Sequence, residues 1–358
     1  MLLFRVARVL WSSIRGNRLK NAETQLAPVI SLKSVEKRDR LRDYPCDSWS
    51  KCPLSLDLSP ISCHTISMKN THLQHPEDSI LTGDLSILDW FLSNGQISAK
   101  IDGAPAIVWG TNPATGKFFV GTKSVFNKKL IKINETHSDI DRNHSGNVAD
   151  ILHHCFDNLP DFDGIIQGDF IGYGGDDTFC PNTITYVFDE VIEQNIIIAP
   201  HTVYVAEHDL RDAVAYPLTL CPESTEDCLF VKSDCWQIDE DFDEIVGFAR
   251  QMAQMVTFAD KKEAAELQVE LNKCIREGRE VVPETFNNSR LISYWFLVKS
   301  IKDDMLFMMR NNGPRAYIGN RQCRGEGYVK TNEFGMFKLV NREQFSHANF
   351  NNGRFANV

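Results

Sequence analysis

The stretch "SAKIDGAPAIVWG", residues 98–110, decides how the chain is read. Apolar residues run up to Lys100, an Asp-Gly pair follows at Asp102 and Gly103, and a second apolar run covers residues 104–110. An Asp-Gly pair between β-branched and aromatic residues signals a turn between extended segments. Lys100 then has two readings: a surface lysine on a hairpin, or a nucleophile that the turn presents. A lysine nucleophile must lose its proton, so its pKa has to fall from ~10.4 toward neutrality. Burial and a neighbouring cation both do this. Ile101, Ala104, Pro105, Ala106 and Ile107 supply the apolar setting. The cation has to come from elsewhere in the chain.

Working outward, "ISAKIDGAPAIVWG" and "GKFFVGTKSVF" flank the turn-forming "TNPATG" and read as two adjacent antiparallel strands. A helix is expected over residues 84–92 and another over 148–159. "DGIIQGDFIGYGG" and "TITYVFDEVIEQNIIIAPHTVYVAEHDL" add further strands. Residues 242–256 and 259–275 have amphipathic helical patterns. Residues 291–309 give a third helix, with Leu291, Trp295, Val298, Met305 and Met309 along one stripe. Strands return in "AYIG", "GEGYVKT" and "GMFKLVN". There are no internal repeats. The pattern is α+β, with antiparallel strands at both ends and helices inserted before the last strands. Residues 1–70 read as a basic, irregular N-terminal extension. Residues 71–350 form one domain, with 240–310 as a helical insertion subdomain, and 351–358 are a tail.

The charge is unevenly spread. The chain of 358 residues has a formal net charge of -10, which does not advertise nucleic-acid binding. Residues 1–45 nevertheless hold ten Lys/Arg against four Asp/Glu, and residues 206–245 hold twelve acids against two bases. The acidic segment has the pattern of a solvated face. The N-terminus has no acid before Glu23 and intersperses apolar residues with Arg5, Arg8, Arg15 and Arg18, a composition like that of an organellar transit peptide. No apolar run reaches the ~18 residues that a membrane span needs. The ten cysteines form no C-x-x-C pair, so they point to free thiols in a reducing cytosol rather than to zinc. A cytoplasmic protein is expected, with a mitochondrial one as the alternative that the N-terminus raises.

The order of the later segments bears on Lys100. "KIDG" is followed by "QGDF" with Asp169, "TYVFDE" with Tyr186 and Phe188, "GEGYV" with Glu326, and "MFKLV" with Lys338. Taken together these resemble motifs I, III, IIIa, IV and V of the covalent nucleotidyltransferases, the superfamily of polynucleotide ligases and mRNA capping enzymes. Lys-x-Asp-Gly alone is a weak signature; the ordered set is more specific. "HPED", "KIDGAPAIVWG", "GKFFVGTKSVFNK", "QGDF", "PNTITY" and "KLVNREQFSHANF" together resemble a family of uncharacterised tailed-phage proteins, which are regarded as remote relatives of RNA and DNA ligases. This likeness spans roughly residues 72–205 and 315–350.

The resemblance implies a ligase-type nucleotidyltransferase fold, with ATP-grasp-like antiparallel sheets flanking a nucleotide cleft. It implies ATP and Mg²⁺ as cofactors and a lysyl-AMP intermediate on Lys100. Lys338 would contact the α-phosphate and help bring Lys100 to its neutral form. Ser98, Ala99, Asp102 and Gly103 would lie in the nucleotide site, with the last two forming the presenting turn. Asp169 and Glu326 are hard oxygen donors suited to Mg²⁺ or to ribose hydroxyls. Tyr186 or Phe188 would stack on the purine. Lys123 would lie on the next strand near ribose or the incoming end. The basic run Lys123, Lys128, Lys129 and Lys132 would suit a phosphate backbone.

Three features depart from the superfamily pattern. Motif V keeps one lysine, with Lys330 as a substitute for the other; Ala104 and Pro105 stand where an arginine is common; and motif III carries an aspartate. Only twenty residues follow Lys338, so no C-terminal OB domain is expected and the RNA-ligase branch fits better. The expected partner is a nucleic acid with a 5′-phosphate end, RNA ahead of DNA, acted on by a monomer that does not bind membrane. Two alternatives stand beside this. One is a ligase-fold nucleotide or nucleic-acid binding protein that has lost strand sealing. The other is a transferase that places AMP on proteins. Each residue also has a plain structural reading: a hairpin lysine, turn acids, core aromatics and an edge lysine. "HLQHPED", with His72 and His75, reads as structural or capping rather than metal-binding.

Overall fold

A computed structural model describes residues 73–161, 164–238 and 241–345. The basic N-terminal extension, His72 and the "HANF" segment lie outside the described residues. The fold is mixed α+β and is built on antiparallel sheets.

The largest sheet runs β3 (Phe118–Gly121), β2 (Ala106–Thr111), β4 (Ile165–Tyr173), β7 (Ile196–Val205) and β8 (Val214–Pro217), with β9 (Cys228–Phe230) parallel to β7. A three-stranded sheet runs β1 (Gln96–Lys100), β14 (Gly327–Asn332), β15 (Gly335–Val340). A four-stranded sheet runs β13 (Arg321–Cys323), β12 (Arg315–Ile318), β6 (Thr185–Val187), β5 (Thr178–Phe179), and β10 (Cys235–Gln237) pairs with β11 (Met309–Asn311). The helices are α1 (Pro76–Ser79), α2 (Ser86–Leu92), α3 (His137–Asn143), α4 (Asn147–Asn158), α5 (Asp243–Ala253), α6 (Lys261–Arg276) and α7 (Ser289–Met308).

The opening stretch is not one arm of a hairpin. Its first half, β1, pairs with β14 in one sheet; its second half, β2, pairs with β3 and β4 in another. Residues 101–105 make the crossing. Pro105 has no N–H to give to a ladder. The Ala104 N–H instead donates to Phe170 O at 3.0 Å, and Phe170 N–H donates to Pro105 O at 3.0 Å. The run "ISAKIDGAPAIVWG", which reads as one strand in the sequence, is therefore split by a segment that belongs to neither strand.

Strand β2 is buried on both faces. Ile107 and Trp109 point toward α4, where they meet Ile151, Leu152 and Cys155, and the Trp109 ring stacks on Phe230 at 5.8 Å. Val108 points the other way, to Phe119, Ile165 and Tyr204. Each such fully buried side chain contributes about 1.5–3 kcal/mol. A further cluster joins strands of three sheets through Ile171, Tyr186, Ile197, Ala316 and Val340. Helix α7 buries the expected Leu291, Trp295, Val298 and Met305, and Ile292, Tyr294, Ile301 and Lys302 as well. It is enclosed around most of its circumference, and Lys302 Nζ donates to Val340 O of β15 at 3.0 Å. Among the described residues no helix is long and apolar enough to cross a membrane.

Candidate functional site

Three candidate residues meet at one end of the β1–β14–β15 sheet. Register pairs Lys100 with Gly327, Ser98 with Val329, and Val329 with Lys338. Strand alternation therefore projects Ser98, Lys100 and Lys338 from the same face. Glu326 precedes Gly327, and its Oε2 accepts from Lys100 Nζ. Gly327 is required for this: its φ is +144°, and a Cβ there would lie 2.1 Å from Leu339 O. The Glu-Gly pair thus fits the sheet only with glycine in second place.

The electrostatics of this end are unsettled. Burial pushes the Glu326 carboxyl above its ordinary value; Lys100 pulls it down, Asp102 raises it, and Lys338 lowers it further. Burial pushes Lys338 below its ordinary value, and the charge of Lys100 adds to that. Two lysines and a half-buried carboxylate therefore share a small space without full compensation.

The turn after Lys100 is stitched to strands of the other sheets. The Asp102 N–H donates to Tyr186 Oη at 2.7 Å, and Asn182 Nδ2 donates to Asp102 Oδ2 at 2.6 Å. The Gly103 N–H donates to Asp169 Oδ2 at 3.4 Å. A Cβ on Gly103 would lie 2.5 Å from Phe170 O, so the Asp-Gly turn needs its glycine to approach β4. Asp169 Oδ1 lies 3.7 Å from His201 Nε2. Tyr204 Oη donates to Gln167 Oε1 at 2.7 Å, which leaves the Gln167 amide NH₂ facing His201 Nε2 at 3.4 Å. The other ring nitrogen, Nδ1, lies 2.7 Å from Thr202 Oγ1.

Several expected residues are elsewhere. Lys330 projects from the face of β14 opposite Lys338; it is buried, with Nζ 5.3 Å from the Trp90 ring centre. One residue's shift in a strand reverses the face, so Lys330 does not stand in for a second motif V lysine. Ala99 also points to that opposite face. Tyr186 is buried in the inter-sheet cluster, and Phe188 packs edge-on against Phe179 at 5.7 Å. Both rings serve the core, and the Tyr186 hydroxyl positions the turn instead of offering a stacking surface. Lys123 is exposed and opens a 3₁₀ turn, Lys123–Phe126, where a strand had been expected; Thr122 Oγ1 caps it by accepting from the Ser124 N–H. Lys132 Nζ is engaged by Asn143 O at 2.7 Å.

"HPED" is structural. Glu77 and Asp78 are buried in α1. Arg342 Nη1 donates to Glu77 Oε1 at 3.1 Å and to Asp78 Oδ1 at 2.8 Å. Lys302 Nζ lies 3.5 Å from Glu77 Oε1, and Trp295 Nε1 donates to Asp78 Oδ1 at 3.0 Å. His75 sits at the helix N-cap without a side-chain capping bond, and burial together with Arg342 holds it in the neutral form far below its ordinary value. This network anchors β15, because the Lys338 N–H donates to Gln74 O at 3.1 Å.

Sequence reasoning missed Asn182 and His201. Asn182 stands in the quoted "PNTITY" and could have been weighed as a partner of Asp102. His201 carries no motif signal. Asp169 and Glu326 offer one or two carboxylates, the donor set by which Mg²⁺ is usually held together with substrate phosphates. Among the described residues no group of three or more His, Cys, Asp or Glu forms an all-protein metal cage, and the described cysteines are unpaired. A protein-family model described as a family of unknown function (DUF6267) matches residues 70–288 and 272–354. No curated protein and no solved structure matches the chain.

Proposed function

The chain belongs to this family of unknown function, and we propose that it is an ATP-dependent nucleotidyltransferase of the polynucleotide-ligase type, forming lysyl-AMP at Lys100. The observation that carries the reading is the meeting of Lys100, Glu326 and Lys338 at one sheet end, with Asp169 bonded to the turn that follows Lys100. Neutral Lys100 Nζ attacks the α-phosphorus of ATP. An N–P bond forms, the bond from phosphorus to the bridging oxygen breaks, and pyrophosphate leaves. Glu326 is the acceptor for the proton that Lys100 must shed, since burial makes it a stronger base than an ordinary carboxylate. Lys338, on the same face, neutralises charge on the α-phosphate. Phosphoryl transfer depends mainly on such positioning and charge neutralisation. Mg²⁺, held by Asp169 with the phosphates, would supply further neutralisation.

In the full reaction AMP would pass to a 5′-phosphate end, RNA ahead of DNA. A second reading has support in Tyr186 and Phe188, whose rings are engaged in packing: a ligase-fold protein that binds nucleotide but has lost sealing. The test is incubation with α-labelled ATP and Mg²⁺ followed by denaturing electrophoresis. Label on the wild type that disappears in Lys100→Ala supports the proposal. An unlabelled wild type, or label that survives in Lys100→Ala, refutes it, and ATP binding without adduct favours the second reading.

A further inference from the structure

Beside Lys100 lies a cleft of about 200 Å³. Its lining includes Arg310, Arg315 and Arg324 as well as Lys100, and contains no aspartate or glutamate. In a chain of net charge -10 that is a concentrated patch of cation, in which Lys100 pairs with Glu326 outside the lining and Arg310 and Arg324 have no acid beside them.

Two of the arginines are held together. Arg310 Nη1 donates to Phe307 O at 2.7 Å and to Met309 O at 2.7 Å, and Arg324 Nη1 donates to the same Phe307 O. The negative end of the α7 dipole offsets part of their repulsion. Among the described residues neither has an ion-pair partner. Burial and the charge of Arg310 hold Arg324 below its ordinary value, as an unneutralised pair requires. Each guanidinium has five N–H donors, and these carbonyls engage only one nitrogen of each. Arg315 reaches the cleft from β12; its nearest acid, the exposed Asp189, is 3.8 Å away. Ser233 Oγ, on the same wall, is buried and has no hydrogen-bond partner. The wall thus presents the guanidinium donors of Arg310 and Arg324 with no acid opposite them.

We propose that this cleft binds a substrate phosphate group, gripped by Arg310, Arg315 and Arg324 with Ser233 Oγ, next to Lys100. Its place in a reaction rests on the nucleotidyl-transfer reading; the binding itself does not. Two sources supply this chemistry: the pyrophosphate end of a nucleoside triphosphate and the 5′-phosphate of a polynucleotide end.

Calorimetric titration of the full chain separates the sources, using inorganic pyrophosphate, a 5′-phosphorylated dinucleotide and the same dinucleotide with a 5′-hydroxyl. The phosphorylated probes should bind and the hydroxyl form should not. Tighter binding of pyrophosphate assigns the cleft to the nucleotide tail, and tighter binding of the phosphorylated dinucleotide assigns it to the strand end. Because Arg310 and Arg324 also hold the end of α7, the variants are Arg315→Gln and Gln322→Glu, the latter placing a carboxylate in the lining. Each should weaken binding about tenfold or more, the worth of one charged hydrogen bond, with thermal melting showing the fold intact. Absence of binding to any phosphorylated probe, or wild-type affinity in both variants, overturns the inference. Arginine-dependent binding with no label ever reaching Lys100 keeps this inference and sinks nucleotidyl transfer; label without arginine-dependent binding does the reverse.

Discussion

Two clusters of charge flank the same strand, β15, and they are built oppositely. On one side Glu77, Asp78, Lys302 and Arg342 are buried and interlocked, with Trp295 donating to Asp78 and the Val340 carbonyl accepting from Lys302. On the other, Lys100, Glu326 and Lys338 are half-buried, with one tight pair and a lysine pushed toward neutrality. The first cluster has matched each charge with a partner, so removing one member strands another in a dry interior. In the second, burial pushes Glu326 up and Lys338 down, each away from its charged form, the condition found where a side chain must gain or lose a proton. Similar residue types thus serve an anchor in one place and a candidate reaction centre in the other, and burial with pairing makes the difference.

The largest expected effect tests the reactive side. Lys100→Ala should remove all covalent label while the unfolding midpoint in denaturant stays near that of the wild type. A large loss of stability would mean that Lys100 belongs with the anchors. Next comes the anchor itself. Arg342→Met leaves Glu77 and Asp78 without their main partner and should cost about 3–5 kcal/mol of unfolding free energy, measured by chemical denaturation. A loss near zero would dissolve the distinction between the two clusters.

The elements were legible because their patterns are local. Helices α4, α5, α6 and α7 lie close to where apolar spacing put them, β4 and β15 fall within their quoted motifs, and β14 runs one residue past its own. The split of residues 97–110 between two sheets was not legible, since each half alone has the pattern of a strand and only tertiary contacts say which sheet it joins. Within the site, Lys100, Glu326 and Lys338 could be named from motif order. Lys330 is turned away from that face, because Val329 lies opposite Lys338 and strand alternation sends its neighbour to the other side. The arginines of the cleft stand in no motif; they become neighbours only when α7 ends against the loop before β14.

A smaller effect tests the sign of the perturbation at Lys338. Its folded pKa lies below its unfolded value, so between the two the unfolded chain binds more protons, and stability rises as pH climbs from the folded value toward ~10.4. Lys338→Met should therefore be more stable than the wild type at neutral pH, and the gap should close as pH approaches 10. Denaturant melts at pH 7 and pH 10 measure this. A variant less stable than wild type at pH 7 would make Lys338 an anchor.

The smallest effect separates the two faces of one sheet. Lys330 lies beside Trp90, and that cation–π contact is worth about 0.5–2 kcal/mol. Lys330→Met keeps the apolar stem against the ring and removes the charge. It should cost some stability and leave labelling of Lys100 at the wild-type level, whereas Lys338→Met should depress labelling. The two lysines are eight residues apart on adjacent strands, and register alone sets them on opposite faces. If both variants lost label equally, the face from which a lysine projects would not decide whether it serves the nucleotide, and the separation of reactive face from anchoring face would fail at the strand where it is drawn most narrowly.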